Sequence, residues 1–153
     1  MSDFETVLHD LLKLLTFPDA QVSLTESAEE VNLIITVPED ATGMLIGFHG
    51  EKLDALQLIL TLVYNRGRED FIPLRLDIND YRQRRSVTLN ELADKAASQA
   101  VESGREIILP PLSPSERRLV HLHLADRSDV DTYSEGEGRT RRLIIRPQVK
   151  TGL

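Results

Sequence analysis

Apolar residues recur at helical spacing in four stretches of this chain, at residues 3–15, 51–66, 80–103 and 114–125. In each stretch the apolar positions fall on one side of a helix and the polar positions on the other. The first stretch ends before a Phe-Pro pair, and the second ends at an Asn-Arg-Gly sequence, which are both common where helices stop. The pattern therefore predicts four amphipathic helices.

Strict alternation of apolar and polar residues marks three further stretches in the first half of the chain, at residues 20–26, 31–37 and 71–78. Alternation with a period of two is typical of half-buried strands, and the polar loop at 27–30 suits a hairpin between the first two. With a short helix included, the order of elements is α-β-β-α-α-β. This order predicts a three-stranded sheet with helices on one face, complete by residue 79.

The second half of the chain contains another helix-start signal and more short strands. Ser113 and Glu116 are spaced as a capping box, with a proline at the first helical position between them. An apolar run at 107–109 and alternation at 130–135 and 141–146 predict three strands, the last two joined by a glycine turn. We expect these elements to form a small α/β unit with the helix at 80–103.

Two glycines, Gly47 and Gly50, lie between the helix at 51–66 and a shorter helical turn at 40–46, for which Asp40 is the predicted cap. A glycine allows another backbone to approach closely, and a helix N-terminus offers unpaired N–H groups with partial positive charge. Together they could bind a sugar-phosphate chain. A GxxG sequence by itself is more often only a turn between helices.

Composition limits the classes of protein to consider. The 153 residues suit one domain or two small ones, and the absence of cysteine excludes disulfides and thiolate metal sites. The longest apolar run is too short for a membrane span, and no signal peptide opens the chain. We therefore expect a cytoplasmic protein that does not insert into membranes.

Charge is unevenly distributed between the two halves. The net charge is −7, yet residues 1–79 hold 5 basic and 14 acidic residues, and residues 80–153 hold 13 basic and 11 acidic residues. The basic residues of the second half form clusters, which suit either ion pairs and solvated faces or local phosphate-binding patches. The clusters contain Arg82, Arg84 and Arg85; Arg117 and Arg118; and Arg139, Arg141, Arg142 and Arg146.

Several motifs, in their order and spacing, resemble a family of bacterial RNA-binding proteins, the SpoIIIJ-associated or Jag-type proteins. These proteins join a KH domain to a domain named for an arginine and a histidine separated by three residues, here called the Arg-xxx-His domain. Arg117 and His121 match the pair that gives the second domain its name. The resemblance is carried by Leu45–Gln57, Leu76–Ile78, Tyr81–Arg85, Glu116–His121, Ser134–Gly138 and Arg141–Arg142.

The resemblance implies an α+β fold: a type II KH domain (α-β-β-α-α-β) at residues 1–79, followed by a small α/β Arg-xxx-His domain at 80–153 that includes the long helix. Many members carry an extra N-terminal domain, and we expect this chain to lack it. The implied function is single-stranded RNA binding, as a post-transcriptional regulator or RNA chaperone. The implied binding residues are Gly47, Phe48, His49, Gly50, Lys52, Arg82, Arg84, Arg85, Arg117, His121, Arg141 and Arg142.

One departure from the family affects the GxxG loop. Members usually place Lys or Arg at the two variable positions, and this chain has Phe48 and His49 there. A phenyl ring can stack on a base and a protonated imidazole can donate to a phosphate, but neither replaces a permanent cation. Lys52 and the helix N–H groups would then contribute more of the phosphate contact.

The partners implied are single-stranded RNA, with single-stranded DNA as a second nucleic acid, and a protein partner such as another small KH protein. No cofactor, metal or catalytic residue is expected. One alternative is a protein–protein interaction module with degenerate RNA binding, which the acidic first half and Phe48 would suit. An enzyme is another alternative, but His121 and His123 are two residues apart on a predicted helix and would not converge on a metal.

Overall fold

The computed structural model describes residues 3–148, and the chain divides into two compact units, the first ending at Arg82 and the second beginning at Gln83. Within the described residues no helix is both long enough and apolar enough to cross a membrane.

The first unit has the predicted α-β-β-α-α-β order. Strand β2 is central in its three-stranded sheet, antiparallel to β1 and parallel to β3. The buried side chains of β2 and β3 pack with those of the helices into one core. The elements are α1 (Asp3–Leu14), β1 (Gln21–Glu26), β2 (Val31–Thr36), α2 (Thr42–Ile46), α3 (Glu51–Tyr64) and β3 (Leu74–Ile78).

Two local predictions in the first unit are wrong. Strand β3 begins at Leu74 because the Asn65 side chain, at the end of α3, bonds both the amide and the carbonyl of Ile72 at 2.7 Å and takes the place of strand pairing. Asp40 does not cap α2, because it lies inside a short 3-10 turn, Glu39–Ala41, and α2 has no side-chain cap.

The second unit contains a three-stranded antiparallel sheet in the order β4-β6-β5. Buried residues of the long helix α4, including Ala93, Ala97 and Ala100, pack into one core with buried residues of this sheet and of α5. Helix α4 begins at the last two residues of the first unit, and the rest of it belongs to the second. The elements are α4 (Tyr81–Ser103), β4 (Ile107–Ile108), α5 (Pro114–Leu124), β5 (Val130–Glu135) and β6 (Arg142–Pro147).

Helix α5 starts where the capping box predicts. The Ser113 hydroxyl accepts a hydrogen bond from the Glu116 amide at 3.2 Å, and the Glu116 carboxylate accepts one from the Ser113 amide at 3.0 Å. The same carboxylate accepts a hydrogen bond from Arg85 Nε at 2.7 Å, with only 8% of the Glu116 side chain exposed. Glu116 therefore caps α5 and also holds α5 against α4.

Candidate nucleic-acid interface

The GxxG loop lies between α2 and α3, and both of its glycines have positive φ angles. Gly47 has φ 71° and ψ −174°, and Gly50 has φ 80° and ψ 13°. The first conformation is open almost only to glycine, and the second is the left-handed region. His49, between them, is also left-handed at φ 52°, which histidine tolerates better than most residues. The loop conformation is thus specified by the residues of the motif.

The space left by the absent Cβ atoms is occupied by this chain's own side chains. A Cβ on Gly47 would lie 2.7 Å from Lys52 Cγ, and a Cβ on Gly50 would lie 3.3 Å from the ring of Tyr81. The Lys52 ammonium donates to the Met44 carbonyl at 3.2 Å, near the end of α2. Gly47 therefore makes room for a lysine whose charged group lies beside the loop.

Replacing Gly47 by alanine is expected to destabilise the first unit by about 1–3 kcal/mol, because the backbone region is strained for any other residue. The matched control is Gly43→Ala, since Gly43 lies in α2 without a positive φ and has open space where a Cβ would be added. Urea denaturation monitored by hydrogen exchange checks both variants. Equal stability of the two variants would contradict the geometry of the loop.

The two variable loop residues lie beside each other, and the first of them is well exposed. Phe48 is 69% exposed, and its ring meets that of His49 edge-on with centroids 3.9 Å apart. An apolar ring of this size, left in solvent at a helix junction, is available to stack on a base.

The second unit contains an open groove of about 370 Å³ between α5 and β5. Arg117, Arg118 and His121 line it from α5, because residues three and four apart share a helix face. Thr132, Tyr133 and Ser134 of β5 line the facing side, and Pro114, Arg141 and Leu143 complete it. The groove thus collects three guanidinium groups and an imidazole, and no carboxylate is among its lining residues in the described part of the chain.

Two of the three arginines that line the groove are oriented by backbone carbonyl groups. Arg117 Nη1 donates to the Leu112 carbonyl at 2.8 Å, and Arg141 Nη1 donates to the Gly136 carbonyl at 3.2 Å. Carbonyl acceptors orient a guanidinium without neutralising it, so its charge remains available to an anion. His121 Nδ1 is in hydrogen-bond contact with the Thr132 hydroxyl. Among residues 3–148, Arg117 forms no ion pair with Asp131 or Glu135, the acidic residues of the facing strand.

Tyr133 connects the groove wall to the edge of the sheet. Its hydroxyl donates to Glu106 Oε1 at 3.1 Å, and the Arg146 guanidinium carbon lies 4.8 Å from its ring centroid. Desolvation and the hydrogen bond to Glu106 raise the pKa of Tyr133 above its ordinary value.

Several predicted binding arginines have structural partners. Arg82 donates to the Leu76 carbonyl at 2.9 Å and pairs with Asp54 at 3.2 Å, and Arg85 pairs with Glu116. Arg142 lies outside the groove lining and donates to the Arg139 carbonyl at 2.9 Å. Arg84 is exposed on α4. Nucleic-acid contact by these four arginines stays a prediction, and the groove itself contains only Arg117, His121 and Arg141 of the predicted set.

Six residues that line the groove were not among the predicted binding residues: Pro114, Arg118, Thr132, Tyr133, Ser134 and Leu143. Arg118 could have been predicted as a binding residue, because it adjoins Arg117 in a basic pair. The strand residues had only their alternation, which does not reveal the helix that they face.

The two histidines of α5 contact different partners. His123 Nε2 contacts Asp94 at 3.0 Å, whereas His121 faces Thr132. No group of three metal-ligating side chains occurs among the residues that the structure describes.

Two family models match the chain. Residues 5–78 match the KH domain of KhpA/KhpB, and residues 87–147 match the model of the Arg-xxx-His domain. The two matches follow each other in the order that the sequence resemblance implied.

Curated relatives from three bacteria are similar to this chain, and each is named RNA-binding protein KhpB. The Clostridium symbiosum protein is 38% identical over 127 residues, 83% of this chain and 56% of the relative. The Bacillus subtilis protein is 35% identical over 128 residues, 82% of this chain and 61% of the relative. The Lactiplantibacillus plantarum protein is 35% identical over 116 residues, 74% of this chain and 36% of the relative. This chain thus spans 36 to 61% of these relatives.

Proposed function

This chain belongs to the Jag-type proteins, in which a KH domain of the KhpA/KhpB type precedes an Arg-xxx-His domain, and we propose its function on that basis. We infer that it binds single-stranded RNA, since the names of its relatives call them RNA-binding proteins. The KH domain would occupy residues 1–79 and the Arg-xxx-His domain residues 80–153. Single-stranded DNA, which carries the same phosphates, is the second expected ligand.

The observation that carries this proposal is the composition of the groove in the Arg-xxx-His domain. Arg117, Arg118 and Arg141 contribute three permanent positive charges to one concave surface without a carboxylate among its described lining residues. In a protein of net charge −7, such a local surplus suits a ligand that carries several negative charges along its length. Guanidinium forks match phosphate oxygens in geometry, and the strand side adds hydroxyl groups that can bond to sugars or bases.

The KH loop would bind the same strand or another one by different means. Phe48 offers a stacking surface, and Lys52 supplies the permanent cation that the variable GxxG positions lack. The acidic surroundings of this loop reduce its electrostatic attraction for RNA. We therefore expect the groove to contribute more to the salt-dependent part of binding, and the loop to contribute more through stacking.

We expect binding without turnover, since guanidinium groups hold phosphates and the sequence contains no nucleophile motif, P-loop or zinc-site spacing. A cytoplasmic post-transcriptional regulator or RNA chaperone would need binding of this kind. Turnover of RNA by the purified chain would contradict this part of the proposal.

The experiment that tests the proposal is a fluorescence anisotropy titration with a labelled mixed-sequence single-stranded RNA at several salt concentrations. We expect saturable binding whose log affinity falls with log salt at a slope of about −2, given roughly three phosphate contacts at 0.7 each. The same sequence annealed to its complement serves as the comparison and should bind more weakly. No saturable binding to the single strand would contradict the proposal.

A second function, docking of a protein partner, is favoured by one specific observation. Three large apolar side chains lie on the face of α3 that is turned away from the core. Their exposed fractions are 62% for Leu58, 49% for Ile59 and 61% for Leu62. These positions share one side of the helix, so they form a contiguous apolar strip rather than scattered exposed residues. A second KH domain with a similar strip would be a suitable partner, because two such faces can cover each other.

Replacing Leu62 by glutamate is expected to weaken this association by at least tenfold, because it would place a charge in an apolar contact at a cost of roughly 1–3 kcal/mol. The matched control is Leu14→Glu, since Leu14 is 82% exposed on α1. Sedimentation velocity of the chain, alone and mixed with a single-domain KH protein from the same genome, measures the association. Equal behaviour of both variants and the unmodified chain would exclude this face as the docking surface.

A further inference from the structure

The orientation of His121 is controlled from the strand that faces it. Its Nδ1 atom is in hydrogen-bond contact with the Thr132 hydroxyl, which lies eleven residues later on β5. Thr132 pairs with Ile145 on the central strand, and Ile145 is fully buried, so the hydroxyl is presented from a fixed ladder position. The contact therefore holds an exposed imidazole against a rigid element.

Only the other ring nitrogen, Nε2, is then left for a ligand. The charged groups that line the same groove are the guanidinium groups of Arg117, Arg118 and Arg141, and no carboxylate of the described residues lines it. An imidazole can present either a proton or a lone pair at Nε2, depending on which nitrogen is protonated. A lone pair would repel a phosphate oxygen, whereas an N–H would donate to it.

We propose that Thr132 is a positioning residue for nucleic-acid binding: its hydroxyl donates to Nδ1 of His121 and so keeps the proton on Nε2, directed at the phosphate or sugar of the bound strand. This inference rests on the proposed function of the groove. The neutral imidazole then acts as a hydrogen-bond donor, and His121 does not need a positive charge to contribute. The hydroxyl of a threonine can rotate, and donation to Nδ1 uses its single proton.

The test compares Thr132→Val, which removes the hydroxyl and keeps the shape, with Thr132→Ser, which keeps the hydroxyl. We expect Thr132→Val to weaken binding of the labelled single-stranded RNA by about threefold to tenfold, as expected for the loss of one hydrogen bond. Thr132→Ser should retain affinity close to that of the unmodified chain. In a His121→Ala background, Thr132→Val should have no further effect, because the two residues act as one unit.

A second measurement separates orientation from simple stability. Long-range proton–nitrogen correlation spectra of the histidine rings above neutral pH should show His121 with its proton on Nε2 in the unmodified chain and in Thr132→Ser. In Thr132→Val the two tautomers should become mixed, while the melting temperature changes little. An unchanged tautomer in Thr132→Val would overturn the inference.

The outcomes also distinguish this inference from the proposed function. If Arg117→Ala and His121→Ala both weaken binding and Thr132→Val does not, the groove binds RNA and the positioning role is wrong. If Thr132→Val weakens binding equally with and without His121, the hydroxyl acts independently of His121, and the inference is again wrong. If Arg117→Ala and His121→Ala both leave binding unchanged, the groove is not the binding site, and both proposals are contradicted.

Discussion

Arg117→Ala is expected to weaken single-stranded RNA binding by about fivefold to 150-fold, or roughly 1–3 kcal/mol. The loss removes a permanent charge from a groove whose described lining contains three guanidinium groups and no carboxylate. The slope of log affinity against log salt should become shallower by about 0.7, the value for one phosphate contact on a single strand. Anisotropy titrations at several salt concentrations measure both quantities.

The matched control for Arg117 is Arg139→Ala. Arg139 belongs to the basic hairpin, is exposed and is not among the groove-lining residues, so this change removes the same charge elsewhere in the unit. We expect it to change affinity less than Arg117→Ala does. Since Arg117 also donates to the Leu112 carbonyl, its loss should cost about 1 kcal/mol of stability, and affinity must be expressed per folded molecule. Equal effects of both variants would indicate only a general dependence on charge.

Glu116→Ala is expected to destabilise the second unit by about 2–4 kcal/mol, because it combines the loss of a helix cap with the loss of a mostly buried ion pair. The Glu116 carboxylate accepts a hydrogen bond from the Ser113 amide and pairs with Arg85 at 2.7 Å, while 27% of the Arg85 side chain is exposed. Partial exposure lets water solvate the arginine that is left behind, which places the expected loss below that of a fully buried pair. Hydrogen exchange during urea denaturation measures each unit separately.

The matched control is Glu91→Ala, which removes an exposed glutamate from α4 and should change stability by no more than about 0.5 kcal/mol. Arg85→Ala should reproduce part of the Glu116 loss, and the double variant should lose less than the sum of the two single variants. Additive losses would mean that the pair contributes little and that the cap accounts for the effect. A loss located in the first unit would contradict the assignment of Glu116 to the second unit.

The features that could be predicted from the sequence are those specified by nearby residues. The capping box of α5 was predictable because Ser113 and Glu116 are three residues apart and meet within one helical turn. The order and type of most strands and helices followed from hydrophobic periodicity for the same reason. Strand β3 was predicted too long because the Asn65 side chain competes with strand pairing for Ile72, and periodicity does not record such competition.

The binding site was less predictable, because its residues come together only after folding. Arg82 and Arg85 resembled the groove arginines in sequence, but their carboxylate partners lie 28 and 31 residues away along the chain. Thr132 carried no signal at all, since its role depends on the helix that β5 faces. The motif suggested that Gly47 leaves room for another backbone, but in the structure Gly47 adopts a backbone conformation open almost only to glycine, and Lys52 of the same chain occupies the space.

The most direct test of RNA binding by this chain is an amide NMR titration with a short single-stranded RNA of mixed sequence. We expect saturable shifts that are largest at Arg117, His121 and Thr132 around the groove of the Arg-xxx-His domain, with a second set around Phe48 and Lys52 in the KH loop. Shifts confined to Leu58, Ile59 and Leu62 on α3, or shifts that do not saturate, would contradict RNA binding through the groove and the loop.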